Sequence, residues 1–176
     1  PYTRKNNTEF DWFRSRMLGG KTNHWGRISL RMGPDDFRPK DGLTEDWPFT
    51  YDELKPYYDK IDRLLGIYGS VEGIENEPDG IFMKPPKPRL SELFIKKSAA
   101  KVGVPVIPGR GSVMTEPIAG NSDRKPCYYC GQCGRSCKTY GDFSASSCLV
   151  IPAIKTGNLE VICNAMVREI LTDNNG

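Results

Sequence analysis

Read as a string of apolar and polar positions, the chain has one segment of clear periodicity. Leu54, Tyr57, Tyr58, Ile61, Leu64 and Leu65 recur at helical spacing, which predicts a helix from about Tyr51 to Leu65 with these six on its buried face. Thr50 and Glu53 form a capping box ahead of it, and Gly66 supplies the stop. Pro56 falls early enough to be tolerated or to kink the helix. A second helix is expected over Leu90 to Val102, stopped by Gly103. A third is expected over Phe143 to Ile154, with Ser144 as cap and Thr156-Gly157-Asn158 as exit.

Period-two alternation is scarcer. Arg27 to Arg31 reads as a brief strand, and Val104 to Pro108 as a short buried strand or an extended connector. Leu159 to Thr172 is rich in β-formers and predicts two strands joined near Asn164. Phe10 to Leu18 mixes aromatics with arginines and reads as a short extended segment. Gly33-Pro34-Asp35-Asp36 is a turn or short helical start. Gly69 to Arg89, rich in Gly, Pro and acids, predicts a long surface excursion. The mixture of helices and strands points to the α/β (α+β) class.

Composition narrows the function classes. The chain has 176 residues, 38% of them hydrophobic, enough for a real core, and a net charge of only +3 with no basic block. Nothing here calls for nucleic acid or an anionic membrane. The longest apolar stretch, Cys148 to Ile154, contains Pro152 and is far too short for a transmembrane helix. The first ten residues lack a signal-peptide pattern, there is no initiator Met, and Asp173-Asn-Asn-Gly176 is a turn sequence; we therefore read a fragment.

Four of the six cysteines fall in the run Cys127-Tyr-Tyr-Cys130-Gly-Gln-Cys133-Gly-Arg-Ser-Cys137. C-x2-C-x2-C-x3-C is the spacing with which bacterial ferredoxins present thiolates to an iron–sulfur cluster. Gly131 and Gly134 permit the positive φ that such a curl needs. A disulfide framework would spread its cysteines to close long loops, so the clustering argues against one. Three readings remain open: an iron–sulfur cluster, a structural zinc site, and a cysteine-rich loop with no metal or with local disulfides. Lys138 stands where ferredoxins carry proline. Cys148 and Cys163 read as buried small hydrophobes.

His24 is the one histidine, in a loop opened by Gly19-Gly20, so a metal site built from histidines is excluded within this chain. A G-x-G-x-x-G fingerprint is absent; Gly109-Arg-Gly111 has Met114 where the third glycine belongs.

The run LGGKTNHWGR, Leu18 to Arg27, resembles the flavin-proximal loop of the glucose–methanol–choline (GMC) oxidoreductases. It is closest to the branch of pyranose oxidase and the bacterial glucose, gluconate and fructose dehydrogenases. The stretch from Asp36 to Gly69, with its acid-Trp-Pro before a helix bearing paired tyrosines, is similar to the same branch. Asn164 to Ile170 (NAMVREI) is similar to the strand that meets the adenine of FAD.

The resemblance implies part of an FAD/NAD(P)-binding flavoprotein fold. Residues 1–33 would be the flavin-proximal loop and strand, and 34–110 a helical and irregular insert toward the substrate domain. Residues 111–142 would be the cysteine-rich loop, and 143–176 a helix and the adenine-side strands. It implies that Gly19, Gly20, Thr22 and Asn23 line the flavin, and that His24 matches the position bearing FAD covalently in pyranose oxidase, though other relatives hold FAD non-covalently. It also implies that Val167 reads the adenine edge through its backbone. The glucose dehydrogenase relatives carry an iron–sulfur cluster at this place in the chain, with a different cysteine spacing.

The function so implied is oxidation of a CH–OH group of a sugar or alcohol, with hydride passing to FAD. Electrons would leave through a cluster at Cys127, Cys130, Cys133 and Cys137 toward a cytochrome or other acceptor subunit. The family's catalytic histidine lies near the C-terminus of the complete protein, so no catalytic residue is expected in this chain, which alone should be inactive. Two competitors stand beside this: an iron–sulfur electron-transfer protein without a substrate site, and a metal-free or zinc-stabilised flavin oxidase. The compartment stays open between periplasm and cytoplasm.

Overall fold

A computed structural model describes residues 15–38, 45–119, 122–133, 135 and 137–173, together with Asn6 and Glu9. Part of the expected extended segment at Phe10 to Leu18, the site glycine Gly134 and the last three residues of the chain lie outside that set. Helix α1 (Pro34–Phe37) is a single turn whose entry is fixed by Gly33 N–H donating to Asp36 Oδ2 at 2.6 Å. It delivers the buried Phe37 against the half-buried Phe49 and the exposed Trp47.

Helix α2 (Tyr51–Leu65) has the boundaries the sequence predicts. Thr50 N–H donates to Glu53 Oε2 at 2.7 Å and Glu53 N–H returns to Thr50 Oγ1, so the capping box closes. Gly66 ends the helix in the left-handed region at φ 73°, where a Cβ would be strained. Pro56 is accommodated inside the helix.

The buried face differs from the expected one. Tyr51 and Asp62 are buried, whereas Tyr57, Ile61 and Leu64 are exposed. The cause is Arg31, a buried cation that recruits Tyr51, Asp59 and Asp62 from one side of α2. Satisfying that guanidinium turns the helix away from the face its apolar spacing alone would choose. Tyr57 lies instead under Lys60 in a cation–π contact.

Helix α3 (Leu90–Ala100) is capped by Glu92 reaching back to Arg89 N–H, and the chain then turns through Gly103 at φ 74°. Its large apolar side chains, Leu90, Phe94 and Ile95 among them, are exposed. Near the C-terminal end a π-helical turn, Ser146–Val150, runs directly into α4 (Ile151–Lys155). Ser144 caps this unit as expected, its Oγ accepting from Ser147 N–H.

The strand expectations fare less well, and the α/β class is borne out only as helices with sparse pairing. Among the described residues isolated bridges stand in place of extended strands. Ile28 and Tyr68 each pair antiparallel with Gly111, Tyr68 pairs parallel with Met83, and Val113 pairs with Asp142. Around them Ser112 N–H donates to Arg27 O and Phe143 N–H to Ser112 O, so segments 27–29, 110–114 and 141–143 lie side by side. Met114, fully buried, sits at the centre of this patch.

Residues 104–108 are the extended connector, not a buried strand, and Cys163 is exposed. The two strands expected over Leu159 to Thr172 are absent; the backbone does turn at Asn164 (φ 55°) but runs irregular and exposed on both sides. A strand needs a neighbour for its N–H and C=O groups, and among the described residues no backbone hydrogen bond joins this segment to another. The excursion at 69–89 is ordered around Arg110, whose guanidinium donates to Glu77 O, Pro78 O and Asp79 Oδ1.

Candidate functional site

The loop at residues 18–27 is built by local hydrogen bonds and then tied to one distant segment. Gly19 at φ 92° starts a 3-10 turn over Gly20–Asn23. A Cβ on Gly19 would stand 2.8 Å from Asn23 Oδ1 and 3.0 Å from Ser146 Oγ, so the close approach there requires glycine. A Cβ on Gly20 would meet nothing, which leaves an open approach to the backbone. Thr22 Oγ1 donates to Gly19 O at 2.5 Å and accepts from Ala145 N–H at 2.9 Å. Asn23 Nδ2 donates to Leu18 O, and its Oδ1 accepts from Ser146 Oγ at 2.8 Å. His24 is half-buried.

Three further links join the same two segments. Trp25 Nε1 donates to Phe143 O at 2.9 Å, and the two rings meet edge to face. The Arg27 guanidinium pairs with Asp142 Oδ2 at 2.5 Å with both side chains about nine-tenths buried. The loop at 18–27 is thus clamped along its length by residues 142–146.

Segment 142–146 is the direct continuation of the cysteine loop. Lys125 N–H donates to Thr139 O and Cys127 N–H to Met114 O, so residues 125–127 and 139–141 form a neck from which the loop projects. Cys127, Cys130, Cys133 and Cys137 all line one small pocket, together with Thr139 and Asp142. All are free thiols. Among the described residues, no three His, Cys, Asp or Glu side chains stand together as the ligand set of a metal ion.

The electrostatics of this pocket follow first from burial and then from the neighbouring thiols. Burial pushes the Cys127 thiol up, a hydrogen bond from Tyr129 N–H opposes this, and the neighbouring thiols at Cys133, Cys137 and Cys130 add to the rise. Tyr128 is raised by its hydrogen bond with Cys130 and by that thiol's charge. Tyr68 is raised first by burial, then by Cys133 and Cys127. The neighbouring sulfurs thus add to the burial that disfavours the Cys127 thiolate.

The structure therefore brings Gly19, Thr22 and Asn23 together with residues 144–146, and gathers the four cysteines around one pocket. Val167 lies apart in the exposed C-terminal backbone, 78% accessible, and not in a strand. Sequence reasoning missed Arg27, Asp142 and Ser146. Arg27 was absorbed into a strand pattern, and nothing in the spacing of Asp142 or Ser146 points 115 or 123 residues back along the chain.

No protein-family model matches the chain. It is 36% identical over 110 residues to the 2-methyl-1,2-propanediol dehydrogenase of Mycolicibacterium austroafricanum, covering 58% of this chain and 20% of that protein. It is 44% identical over 61 residues to the paromamine 6'-oxidase of Streptomyces fradiae, covering 32% and 11%. It is 24% identical over 169 residues to the gluconate 2-dehydrogenase flavoprotein of Pantoea cypripedii, covering 78% and 27%. The chain thus spans about a quarter or less of the length of these relatives.

Proposed function

From the premise that this chain is homologous to a segment of the GMC-type flavoprotein dehydrogenases and oxidases, we propose that it forms the flavin-facing loop of an FAD-dependent oxidoreductase. The proposed activity is oxidation of a CH–OH group in a sugar or alcohol. The observation that carries this reading is the clamped loop at 18–27. Glycine-opened backbone at Gly20, followed by the half-buried Thr22, Asn23 and His24, is the polar edge we assign to the isoalloxazine ring. Bound there, FAD would supply hydride-accepting chemistry.

The residues of the chain have distinct parts in this reading. Gly20 leaves the backbone accessible, while Thr22 and Asn23 spend their hydrogen bonds on holding the loop. His24 is the candidate for a covalent or hydrogen-bonding contact. Val167 is assigned to the adenine edge by its sequence alone, and its exposed backbone is free to pair. The substrate base is expected elsewhere in the full-length protein.

The four cysteines form the proposed exit for electrons, toward a cytochrome or other acceptor subunit. Their donor set, all sulfur with ferredoxin spacing, suits an iron–sulfur cluster by type. A second reading, a flavin oxidase in which the cysteines stay thiols, is favoured by their spread around the pocket, where the described residues do not close on a metal ion.

Absorption spectroscopy of the full-length protein tests the proposal. Flavin bands are expected, and their absence overturns it. Iron and acid-labile sulfide in equal amounts support the cluster; flavin without either supports the oxidase. Acid precipitation decides His24, because yellow colour left in the supernatant rules out a covalent bond.

A further inference from the structure

The loop assigned to flavin and the loop carrying the thiols share one structural member, residues 142–146. Asp142 is its key residue. The residue lines the thiol pocket together with Cys127, Cys130, Cys133 and Cys137, and its carboxylate pairs with Arg27 at 2.5 Å. Its backbone bridges Val113, next to Ser112, whose N–H is bonded to Arg27 O at 2.8 Å. Arg27 is held at φ 61°, an unusual conformation for a residue with a side chain, and donates to Trp25 O at 2.7 Å, so its position fixes the exit of the loop.

We propose that Arg27 and Asp142 are positioning residues that couple the occupancy of the thiol pocket to the geometry of the loop at 18–27. Three features support this. The pair is buried, so its Coulomb and hydrogen-bond energy is weakly screened. Arg27 Nε is buried with no partner, which leaves Asp142 the one carboxylate bonded to that guanidinium among the described residues. Finally, Thr22, Asn23 and Trp25 all rest on the four-residue stretch following Asp142, at Phe143 O, Ala145 N and Ser146 Oγ. A group bound to the sulfurs that shifts Asp142 also shifts the contacts by which residues 142–146 hold the loop.

The inference builds on the flavin reading but can fail separately from it. The full-length protein is first stripped of any sulfur-bound iron with a chelator. Its thiols are then alkylated with iodoacetamide, adding a carboxamidomethyl group to each reactive sulfur, with alkylation at Cys127, Cys130, Cys133 and Cys137 verified by mass spectrometry. Hydrogen exchange of peptides spanning residues 17–27 and the visible circular dichroism of bound flavin are then followed. In the native protein, alkylation is expected to speed exchange at Thr22 and His24 by at least threefold and to change the flavin dichroism.

In Arg27→Gln and Asp142→Asn both responses are expected to vanish, because the link is already cut, and Arg27→Lys is expected to restore part of them. A merely structural clamp would loosen the loop in the variants yet leave it deaf to alkylation in the native protein. Unchanged exchange on alkylation of the native protein therefore overturns the coupling, as does an equal response in native and variant proteins. If the full-length protein holds no flavin, the proposed function falls, and the exchange arm still decides the coupling.

Discussion

Arg31 and Asp62 form a buried ion pair, Nη2 to Oδ2 at 2.5 Å, that fixes how helix α2 meets the rest of the fold. Asp62 also accepts from Ile81 N–H, and Arg31 reaches Asp59 and Tyr51. Burial alone would lower the affinity of Arg31 for its proton, but the hydrogen bonds to Asp62, Asp59 and Tyr51 outweigh this and raise it. Removing one partner of a buried pair strands the other, at about 3–5 kcal/mol. Asp62→Ala is therefore expected to lower stability by that order in urea unfolding followed by far-UV dichroism. Tyr57→Ala, on the exposed side of the same helix, should change it by less than about 1 kcal/mol.

Arg124 does a different task with the same chemistry. It is 2% exposed and none of its hydrogen bonds goes to a carboxylate; its donors go to Leu64 O and Leu65 O at the end of α2 and to Tyr140 O and Gly141 O beyond the cysteine loop. Burial lowers its pKa, opposed by Cys148 and Asp142, while the helix C-terminus offers it partial negative charge. Arg124→Met should cost about 1.5–3 kcal/mol, the range for hydrogen bonds to charged groups, and should speed proteolysis within 127–137. Arg124→Lys should not rescue it, because one ammonium cannot span four carbonyls set for a planar fork. Wild-type cleavage rates in either variant would contradict this role.

What was legible in the chain was local. The capping box at Thr50 and Glu53, the Gly66 stop and the Ser144 cap are interactions within one helical turn, so short spacing reveals them. The side of α2 that turns inward was not legible, because Arg31 chooses it from 31 residues away in sequence. The same holds for the site. Glycines, His24 and the cysteine run announce themselves by type and spacing, whereas Asp142 and Ser146 acquire their meaning only when Arg27 and Asn23 fold against them. The strands misread over Leu159 to Thr172 show the converse: β-propensity records a fit to a neighbour, and among the described residues no backbone hydrogen bond joins that segment to one.

Acid should loosen both the excursion at residues 72–79 and the anchoring of helix α2. Asp79 accepts from Glu72 N–H and Gly73 N–H and pairs with Arg110, and the first of these hydrogen bonds is the main cause of its lowered pKa. Asp59 is lowered chiefly by its hydrogen bond with Arg31. A carboxylate with a depressed folded pKa contributes stability above its unfolded value, about 3.9, and loses it as pH falls through the folded value. The urea midpoint should therefore fall as pH drops below about 4. Asp79→Asn should flatten that decline, and an unaltered pH profile in this variant would count against the assignment.

Thr22 offers the sharpest test of how the loop at 18–27 is held, because one oxygen both donates to Gly19 O and accepts from Ala145 N–H. Thr22→Val keeps the shape and deletes both bonds, leaving the half-buried Ala145 N–H without its acceptor. A loss of about 1–3 kcal/mol is expected for an amide left unsatisfied, so flavin retention by the full-length protein should weaken by about tenfold or more. Thr22→Ser restores both bonds and should recover most of the retention. The pair of substitutions separates hydrogen bonding from packing, since Ser lacks the methyl that Val keeps. If Val retains flavin as well as Thr does, the loop is held by the Asn23, Trp25 and Arg27 contacts, and the hydroxyl has no part in shaping it.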